Sequence, residues 1–138
     1  MKLFDTTLQR LQSSLDVRLA RQNVLGGNLA NADTPGYQPR DLDFEAAMRA
    51  RADETPGPSL GTATTDEHHL SVATPRTSAD PTAHVKVVEG DGGLDGNGVD
   101  LDRTMVELSR NALLYGASTR AVGKKLAILR YVATDGIG

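Results

Sequence analysis

Aspartates and glycines between Asp91 and Asp102 form the pattern in this chain that comes nearest to a metal site. Asp91, Asp95, Gly96 and Asp102 occupy ligand or turn positions of a calcium-loop spacing. Gly93 stands where another oxygen ligand is needed, the last position is Asp rather than Glu, and no helix is predicted before the loop. The pattern therefore favours an ordinary turn that leads into a helix. These glycines also lack the Gly-Lys-Ser/Thr sequence of a phosphate-binding loop.

Three histidines and two neighbouring aspartates are the other candidates for chemistry. Adjacent residues of a strand point to opposite sides, so His68 and His69 do not converge, and His84 has no cluster of carboxylates or thiols to complete a ligand set. Asp41 and Asp43 can face one side of an extended segment, where they are predicted to be a solvated or interface-pairing acidic patch rather than a catalytic pair. The chain has no cysteine. We therefore predict neither an enzyme nor a bound metal or cofactor.

Composition and charge narrow the possible partners. Residues 1–40, 41–99 and 100–138 carry net charges of +2, −7 and +2, so the centre is acidic and no stripe of basic residues is present. This balance predicts no nucleic-acid partner and no direct binding to lipid. The sequence has no apolar run of transmembrane length and starts without the pattern of a cleaved secretory signal, so any export is expected to occur without a Sec-type leader.

The last third of the chain predicts one long helix with a narrow apolar stripe. Apolar residues alternate at intervals of four and three over residues 100–133, and a repeat of 3.5 residues keeps them on one side of a helix that must pack against another helix. At about 1.5 Å per residue this helix is roughly 50 Å long. The stripe consists of Leu101, Met105, Leu108, Ala112, Tyr115, Thr119, Val122, Leu126, Leu129 and Ala133.

The first thirty residues predict the packing partner. A second helix from about Asp5 to residues 29–31 repeats the same spacing, with Arg18 and Gln22 as polar interruptions that Leu19 is expected to cover in part. Pro35 and Gly36 end this helix, because the pair fits the two central positions of a type II turn. The apolar positions are Phe4, Leu8, Leu11, Leu15, Leu25 and Leu29.

The predicted fold class is mainly α, with antiparallel N- and C-terminal helices packed as a coiled-coil-like pair and an extended, loop-rich middle that contains limited β structure. We divide the chain into a helix at 1–31, a Pro-Gly turn and extended arm at 32–44, a middle segment at 45–98, and a long helix with a short tail at 99–138. Within the middle, a short helix is predicted at 44–52 and strands at 70–72 and 84–88.

Each helix offers only one narrow stripe, so neighbouring copies are expected to complete the order of the subunit. Ordering thirty backbone residues costs about 1–2 kcal/mol each, which ten stripe side chains at about 1–2 kcal/mol each do not offset. Gly116 and Gly123 lie next to the stripe and are either tolerated weak points or sites where another helix approaches closely.

Several segments together resemble the rod and hook proteins of the bacterial flagellum, especially the proximal rod proteins. The most specific segment is GNLANADTPGY at 27–37, followed by RDLDF at 40–44, DGNGVDLDRTM at 95–105, YGAST at 115–119 and KKL at 124–126, with a weaker match at 65–70. In the resembling family a second asparagine usually stands where this chain has Gly98. The motif residues are Asn28, Leu29, Ala30, Asn31, Thr34, Pro35, Gly36, Tyr37, Asp41, Asp43 and Phe44.

The resemblance implies a structural subunit of the flagellar basal-body rod, exported uncleaved by the flagellar type III secretion apparatus. The implied partners are other copies of the chain, neighbouring rod proteins, the small adaptor protein at the rod base and the export-gate proteins. Residues 31–37 and 40–44 are expected to form an arm that contacts neighbouring subunits. Two alternatives stay open: a cytoplasmic helical adaptor or export chaperone, and a calcium-dependent binding module that uses residues 91–102.

Overall fold

The computed structural model describes residues 6–53, 80–90 and 94–134 of the chain. Helix α1 spans Thr6–Ala30, strand β1 Arg40–Leu42, helix α2 Phe44–Asp53, a 3₁₀ helix Pro81–His84, strand β2 Val85–Val87, and helix α3 Leu101–Ala133. The predicted fold class is confirmed, since two long terminal helices pack together beside one two-stranded sheet. Outside the described residues lie Phe4, His68, His69, Asp91, Gly93 and the strand predicted at 70–72.

Helix α1 ends in the turn that the sequence predicts. Tyr37 N–H donates to the carbonyl oxygen of Thr34 at 3.2 Å, and Pro35 and Gly36 are the two residues between them. Gly36 has a φ of +71°, a backbone conformation that glycine adopts without the steric cost of a Cβ. The chain therefore leaves α1 through a type II arrangement and turns toward β1.

Helix α3 begins at a side-chain cap and continues for 33 residues, about 50 Å. Asp100 Oδ1 accepts a hydrogen bond from the backbone N–H of Arg103 at 2.9 Å, which satisfies one of the free donors of the first turn. At the other end, the N–H of Thr134 donates to Arg130 O at 3.0 Å. The start and end of α3 agree with the predicted helix to within one residue.

The two long helices run antiparallel. Asn97, just before α3, contacts the end of α1, whereas Glu107 reaches Arg21 and Asn111 reaches Arg18. Positions further along α3 therefore meet positions earlier in α1, as in an antiparallel helix pair.

The small apolar core packs against α1 on a side that does not face α3. Val17, Leu42 and Ala47 are buried together, so the core joins α1, β1 and α2. Strands β1 and β2 pair antiparallel with Asp41 opposite Lys86, and Asp43 caps α2 by accepting from the N–H of Ala46 at 3.0 Å. Half-buried apolar residues surround this core: Ala20, Phe44, Met48 and Val85.

The covered face of α3 differs from most of the predicted stripe. Of its ten residues, Leu108, Val122 and Leu129 are half-buried and the other seven are exposed, with Leu101, Met105 and Leu126 at 47%, 52% and 49%. At four of the exposed positions the preceding residue lies on the covered face instead, and all four of these residues are polar. They are Thr104, Asn111, Ser118 and Lys125.

The α1 stripe is covered along most of its length. Leu25 is buried, and Leu8, Leu11, Leu15 and Leu29 are half-buried. Leu19 is 52% exposed and does not cover the two polar interruptions. Asn111 of α3 covers them instead, because an amide side chain can satisfy the polar groups that a leucine would leave without hydrogen bonds.

Candidate functional site

Asn28 connects the end of α1 to strand β1. Its side chain is 3% exposed, its Nδ2 donates to the carbonyl oxygen of Arg40 at 2.6 Å, and its Oδ1 accepts from the N–H of Arg40 at 2.9 Å. The hydroxyl of Tyr37 also donates to Oδ1 at 3.3 Å. The amide thus satisfies both backbone groups of one strand residue, as a neighbouring strand would do.

Asn97 makes the corresponding connection between the start of α3 and the end of α1. Its Nδ2 donates to three carbonyl oxygens, those of Asn31 at 3.0 Å, Ala32 at 2.7 Å and Thr34 at 2.9 Å. These carbonyls belong to the turn that follows α1, and those of Asn31 and Thr34 also accept the backbone N–H groups of Thr34 and Tyr37. Asn97 Oδ1 accepts from the N–H of Val99 at 2.8 Å, so both ends of its amide are engaged.

Backbone hydrogen bonds complete this contact, and we call residues 28–40 together with 95–99 the polar junction. The N–H of Gly36 donates to Asp95 O, and the N–H of Gly98 donates to Tyr37 O, both at 3.0 Å. A Cβ at Gly98 would lie 2.9 Å from Pro39 Cδ and 3.3 Å from the Cα of Gly90. The two motif segments noted in the sequence therefore bind each other within one chain, and residues 31–37 are engaged there.

Arg21 of α1 forms ion pairs with both β1 and α3 beside the polar junction. Its Nε and Nη2 donate to the two carboxylate oxygens of Asp41 at 2.9 and 2.8 Å, and Nη2 also donates to Glu107 at 3.1 Å. The hydrogen bond with Asp41 raises the pKa of the Arg21 guanidinium, although burial opposes this effect. A permanently charged, bidentate pair of this kind fixes the orientation of β1 relative to α1.

Asp41 and Asp43 therefore have separate roles. Asp41 pairs with Arg21, whereas Asp43 caps α2 and accepts from Lys86 Nζ at 2.9 Å. The N–H of Ala46 and the ammonium of Lys86 lower the pKa of Asp43. The structure thus pairs each carboxylate with a group of its own chain.

Asn111 is the polar centre of the contact between α1 and α3. It is 1% exposed, and its Nδ2 donates to Arg18 O and to Gln22 Oε1, both at 2.8 Å. The guanidinium of Arg18 lies 4.4 Å from the ring centre of Phe44, a cation–π distance. A buried asparagine between two packed helices favours one register, because only one alignment gives its Nδ2 both acceptors. The Oδ1 of Asn111 is buried without a hydrogen-bond partner among the described residues.

A broad apolar surface on α3 is not covered by any other residue that the structure describes, and we call it the outer face of α3. It includes residues on more than one side of the helix, which is unusual for a helix of a self-contained soluble domain. Between Leu108 and Thr134 the helix carries five basic and no acidic residues. The exposed large apolar side chains are Leu101, Met105, Val106, Leu113, Leu114, Tyr115, Leu126, Ile128, Tyr131 and Val132.

Gly116 and Gly123 lie along α3 in open surroundings. A Cβ built at either glycine would have nothing within 4 Å apart from the local helix backbone. Close approach by another described element of the chain therefore does not explain them. The explanation that remains from the sequence is close approach by another molecule or simple tolerance.

The residues with potential for metal chemistry are used structurally where the structure describes them. Asp95 accepts from the N–H of Asn97, Asp100 caps α3, and the carbonyl of His84 accepts from Asp43 N–H. Over residues 6–53, 80–90 and 94–134, no group of three His, Cys, Asp or Glu side chains is placed to bind a metal ion. None of the helices described in these ranges combines the length and apolarity needed to cross a bilayer.

Three residues of these contacts were missed by the sequence-based site prediction: Arg21, Asn97 and Asn111. The apolar repeat gave no signal for the two asparagines. Asn111 precedes Ala112 of the predicted stripe, and Asn97 stands in the turn that leads to α3. The polar interruptions at Arg18 and Gln22 were the available sign that a polar partner of α3 faces them.

Comparison with known proteins gives a consistent family. The family model described as flagella basal body rod protein matches residues 8–38. The flagellar basal body rod protein FlgB of Escherichia coli K12 is 35% identical over 137 residues, which covers 96% of both chains. FlgB of Aeromonas hydrophila is 36% identical over 124 residues, covering 90% of this chain and 89% of the relative.

A distant bacterium provides a similar match over the whole chain. FlgB of Bacillus subtilis 168 is 30% identical over 141 residues, covering 99% of both chains. The resemblance noted in the sequence is thereby confirmed. The chain belongs to the FlgB family of flagellar basal body rod proteins, whose role is that of a structural component of the flagellar rod.

Proposed function

We propose that this chain is a subunit of the proximal rod that is exported by the flagellar type III secretion system, becomes ordered on assembly and transmits torque as part of the drive shaft. The observation that carries the proposal is the outer face of α3, a long exposed apolar surface on a member of a rod family. Full burial of one leucine, valine or isoleucine side chain contributes about 1.5–3 kcal/mol, so neighbouring subunits gain stability by covering this face.

The small private core supports ordering on assembly. The buried apolar residues of the described ranges are Val17, Leu25, Leu42 and Ala47, a small number for ranges that include three helices. A subunit with so little buried apolar surface unfolds at low cost, which suits passage through a narrow export channel. Docking then supplies the apolar contacts that the free subunit lacks.

The proposed partners follow from the position in the rod. They are other copies of the chain, neighbouring rod proteins, the small adaptor protein at the rod base and the export-gate proteins. A contact that repeats head to tail without closing into a ring produces a helical filament, the geometry that a rod requires. The proposed assembly residues are Leu101, Met105, Tyr115 and Leu126 on the outer face of α3, with Leu108, Val122 and Leu129 supporting the helix pair.

The test replaces Leu126 with Asp and measures incorporation into purified basal bodies and swimming motility. Leu126→Asp places a charge on the outer face without touching the polar junction, so we expect a helical, exportable subunit that is absent from basal bodies. Leu19→Asp makes the same change at a comparably exposed leucine of α1 and is expected to be incorporated. A motile Leu126→Asp strain with normal rods would overturn the proposed role of this face.

Cell fractionation separates the proposal from the adaptor or export-chaperone alternative. A rod subunit co-purifies with the basal body, whereas a chaperone stays in the cytoplasm and is absent from purified rods. Recovery of the wild-type chain only in the cytoplasm of motile cells would contradict the rod role. The combined Leu108→Asp and Leu126→Asp change is expected to prevent incorporation completely, since it damages the helix pair as well as the outer face.

A further inference from the structure

Asn97 and Gly98 form the one Asn-Gly pair of the sequence, and the structure uses both residues at the polar junction. The carboxamide of Asn97 donates to three carbonyls that follow α1, so an acceptor-only side chain cannot replace it. Gly98 is buried and has no room for a Cβ against Pro39 and Gly90. In this chain the contact therefore uses the carboxamide of Asn97 and the missing Cβ of Gly98.

This dipeptide is chemically labile in a flexible chain, because glycine has no side chain to hinder ring closure. The backbone nitrogen of Gly98 loses its proton to solvent and attacks Cγ of Asn97, forming an N–Cγ bond while the Cγ–Nδ2 bond breaks and ammonia leaves. Water then opens the succinimide at either carbonyl. The products are aspartate or isoaspartate at residue 97, and the net reaction is asparagine plus water giving the acid plus ammonia, with no change of oxidation state.

The folded geometry opposes each requirement of this reaction. The N–H of Gly98 is bound to Tyr37 O at 3.0 Å, so the nucleophile is engaged. The Nδ2 and Oδ1 of Asn97 are both hydrogen-bonded, and the residue is 7% exposed, so its side chain cannot rotate toward Gly98 without breaking these bonds. Ring closure therefore has to wait for the polar junction to open.

The product cannot close the polar junction again. An aspartate at 97 has no donor for the carbonyls of Asn31, Ala32 and Thr34, and its negative charge would face three oxygen atoms. An isoaspartate also adds a methylene to the backbone between residues 97 and 98, which shifts Gly98 from its contact with Pro39. We propose that Asn97 is a spontaneous deamidation site that the polar junction protects in the folded chain and whose reaction disables that junction.

The test incubates the purified full-length chain at mildly alkaline pH, in native buffer and in urea, and follows each asparagine by peptide mass spectrometry. Deamidation increases the mass by about one dalton, whereas isomerisation at the Asp-Gly pairs does not change it. In urea we expect Asn97 to react fastest of the five asparagines, with Asn23, Asn28, Asn31 and Asn111 as internal controls. In native buffer we expect its reaction to be at least about tenfold slower.

Two results would overturn the proposal. Equal rates at Asn97 in native buffer and in urea would show that the polar junction gives no protection. A rate in urea no higher than that of Asn31 or Asn111 would show that the pair is not a deamidation site. Gly98→Ala, measured only in urea because it disturbs the fold, should slow the reaction and thereby confirm the ring-closure route.

The effect of the product is measured separately with Asn97→Asp. We expect its urea midpoint, followed by helical circular dichroism, to be clearly lower than that of the wild-type chain. Asn23→Asp is the matched control, since Asn23 is exposed on α1 and receives the same charge. An Asn97→Asp midpoint equal to that of Asn23→Asp would contradict the claim that deamidation disables the junction. This inference does not require rod assembly, but it requires the free chain to form the polar junction, which helical circular dichroism in native buffer checks before the incubation.

Discussion

The polar junction and the outer face of α3 differ in whether their side chains have partners within the same chain. At the junction, amides and backbone groups that would be costly to bury alone find their partners in the same molecule, as Asn28 does at Arg40. On the outer face, apolar side chains such as Leu113 and Ile128 stay exposed and are not covered by the residues that the structure describes. Substitutions at the junction should therefore change the stability of the isolated subunit, whereas substitutions on the outer face should mainly change its assembly.

The largest expected effect on the isolated subunit is that of Asn28→Ala. It removes both hydrogen bonds to the backbone of Arg40 and leaves buried polar groups unsatisfied, at a cost of about 2–3 kcal/mol in the free energy of unfolding. Asn23→Ala on the exposed side of the same helix should change it by less than about 0.5 kcal/mol. Urea unfolding measures both, and similar values for the two variants would remove the distinction between junction and surface.

A smaller effect of opposite sign is expected at the glycines of α3. Gly116→Ala or Gly123→Ala should stabilise the isolated chain by about 0.5–1 kcal/mol, because alanine favours a helix and its Cβ meets nothing here.

The corresponding leucine variants test close approach by a neighbour. Gly123→Leu also fits the isolated chain but would keep another helix at a distance. Normal recovery of Gly116→Leu and Gly123→Leu subunits in basal bodies would show that these glycines are merely tolerated. The contact with a neighbour would then be assigned to the large apolar residues of the outer face alone.

The smallest expected effect is an acid dependence at α2. The folded chain lowers the pKa of Asp43 from its ordinary value of 3.8, so the stabilisation is present above that value and is lost as the pH falls through the lower, folded-state pKa. Asp43→Asn keeps an oxygen that can cap α2 but does not titrate. Circular dichroism during acid titration should therefore show a flatter decline for Asp43→Asn than for the wild type, and identical curves would assign the decline to other groups.

The sequence predicted the helices well because their boundaries depend on local signals. Asp100 caps α3, and the Pro35-Gly36 turn ends α1, each through contacts within a few residues. The apolar repeat also identified α1 and α3 as partners. It did not identify which side of α3 would face α1, because two adjacent rows of the helix both satisfy a heptad pattern.

That choice depends on hydrogen bonds between distant residues. Asn111 turns inward because Arg18 and Gln22 supply acceptors, and Met105 and Leu126 consequently remain outside. The same reason explains why the segment predicted as an extended arm is partly a strand: Arg40–Leu42 finds its partner at Val85–Val87, about 45 residues further along the chain. The apolar repeat predicts which residues share one side of a helix. It does not predict which polar group from a distant part of the chain will contact that side.

Asn28 also limits the addition of a further strand to the small sheet. The backbone N–H and carbonyl of Arg40 point away from β2, and a side chain of the same molecule already occupies both. An incoming strand cannot pair with Arg40, so this position on the edge of β1 is closed to edge-to-edge aggregation. The helices, in contrast, stay open to other copies of the subunit.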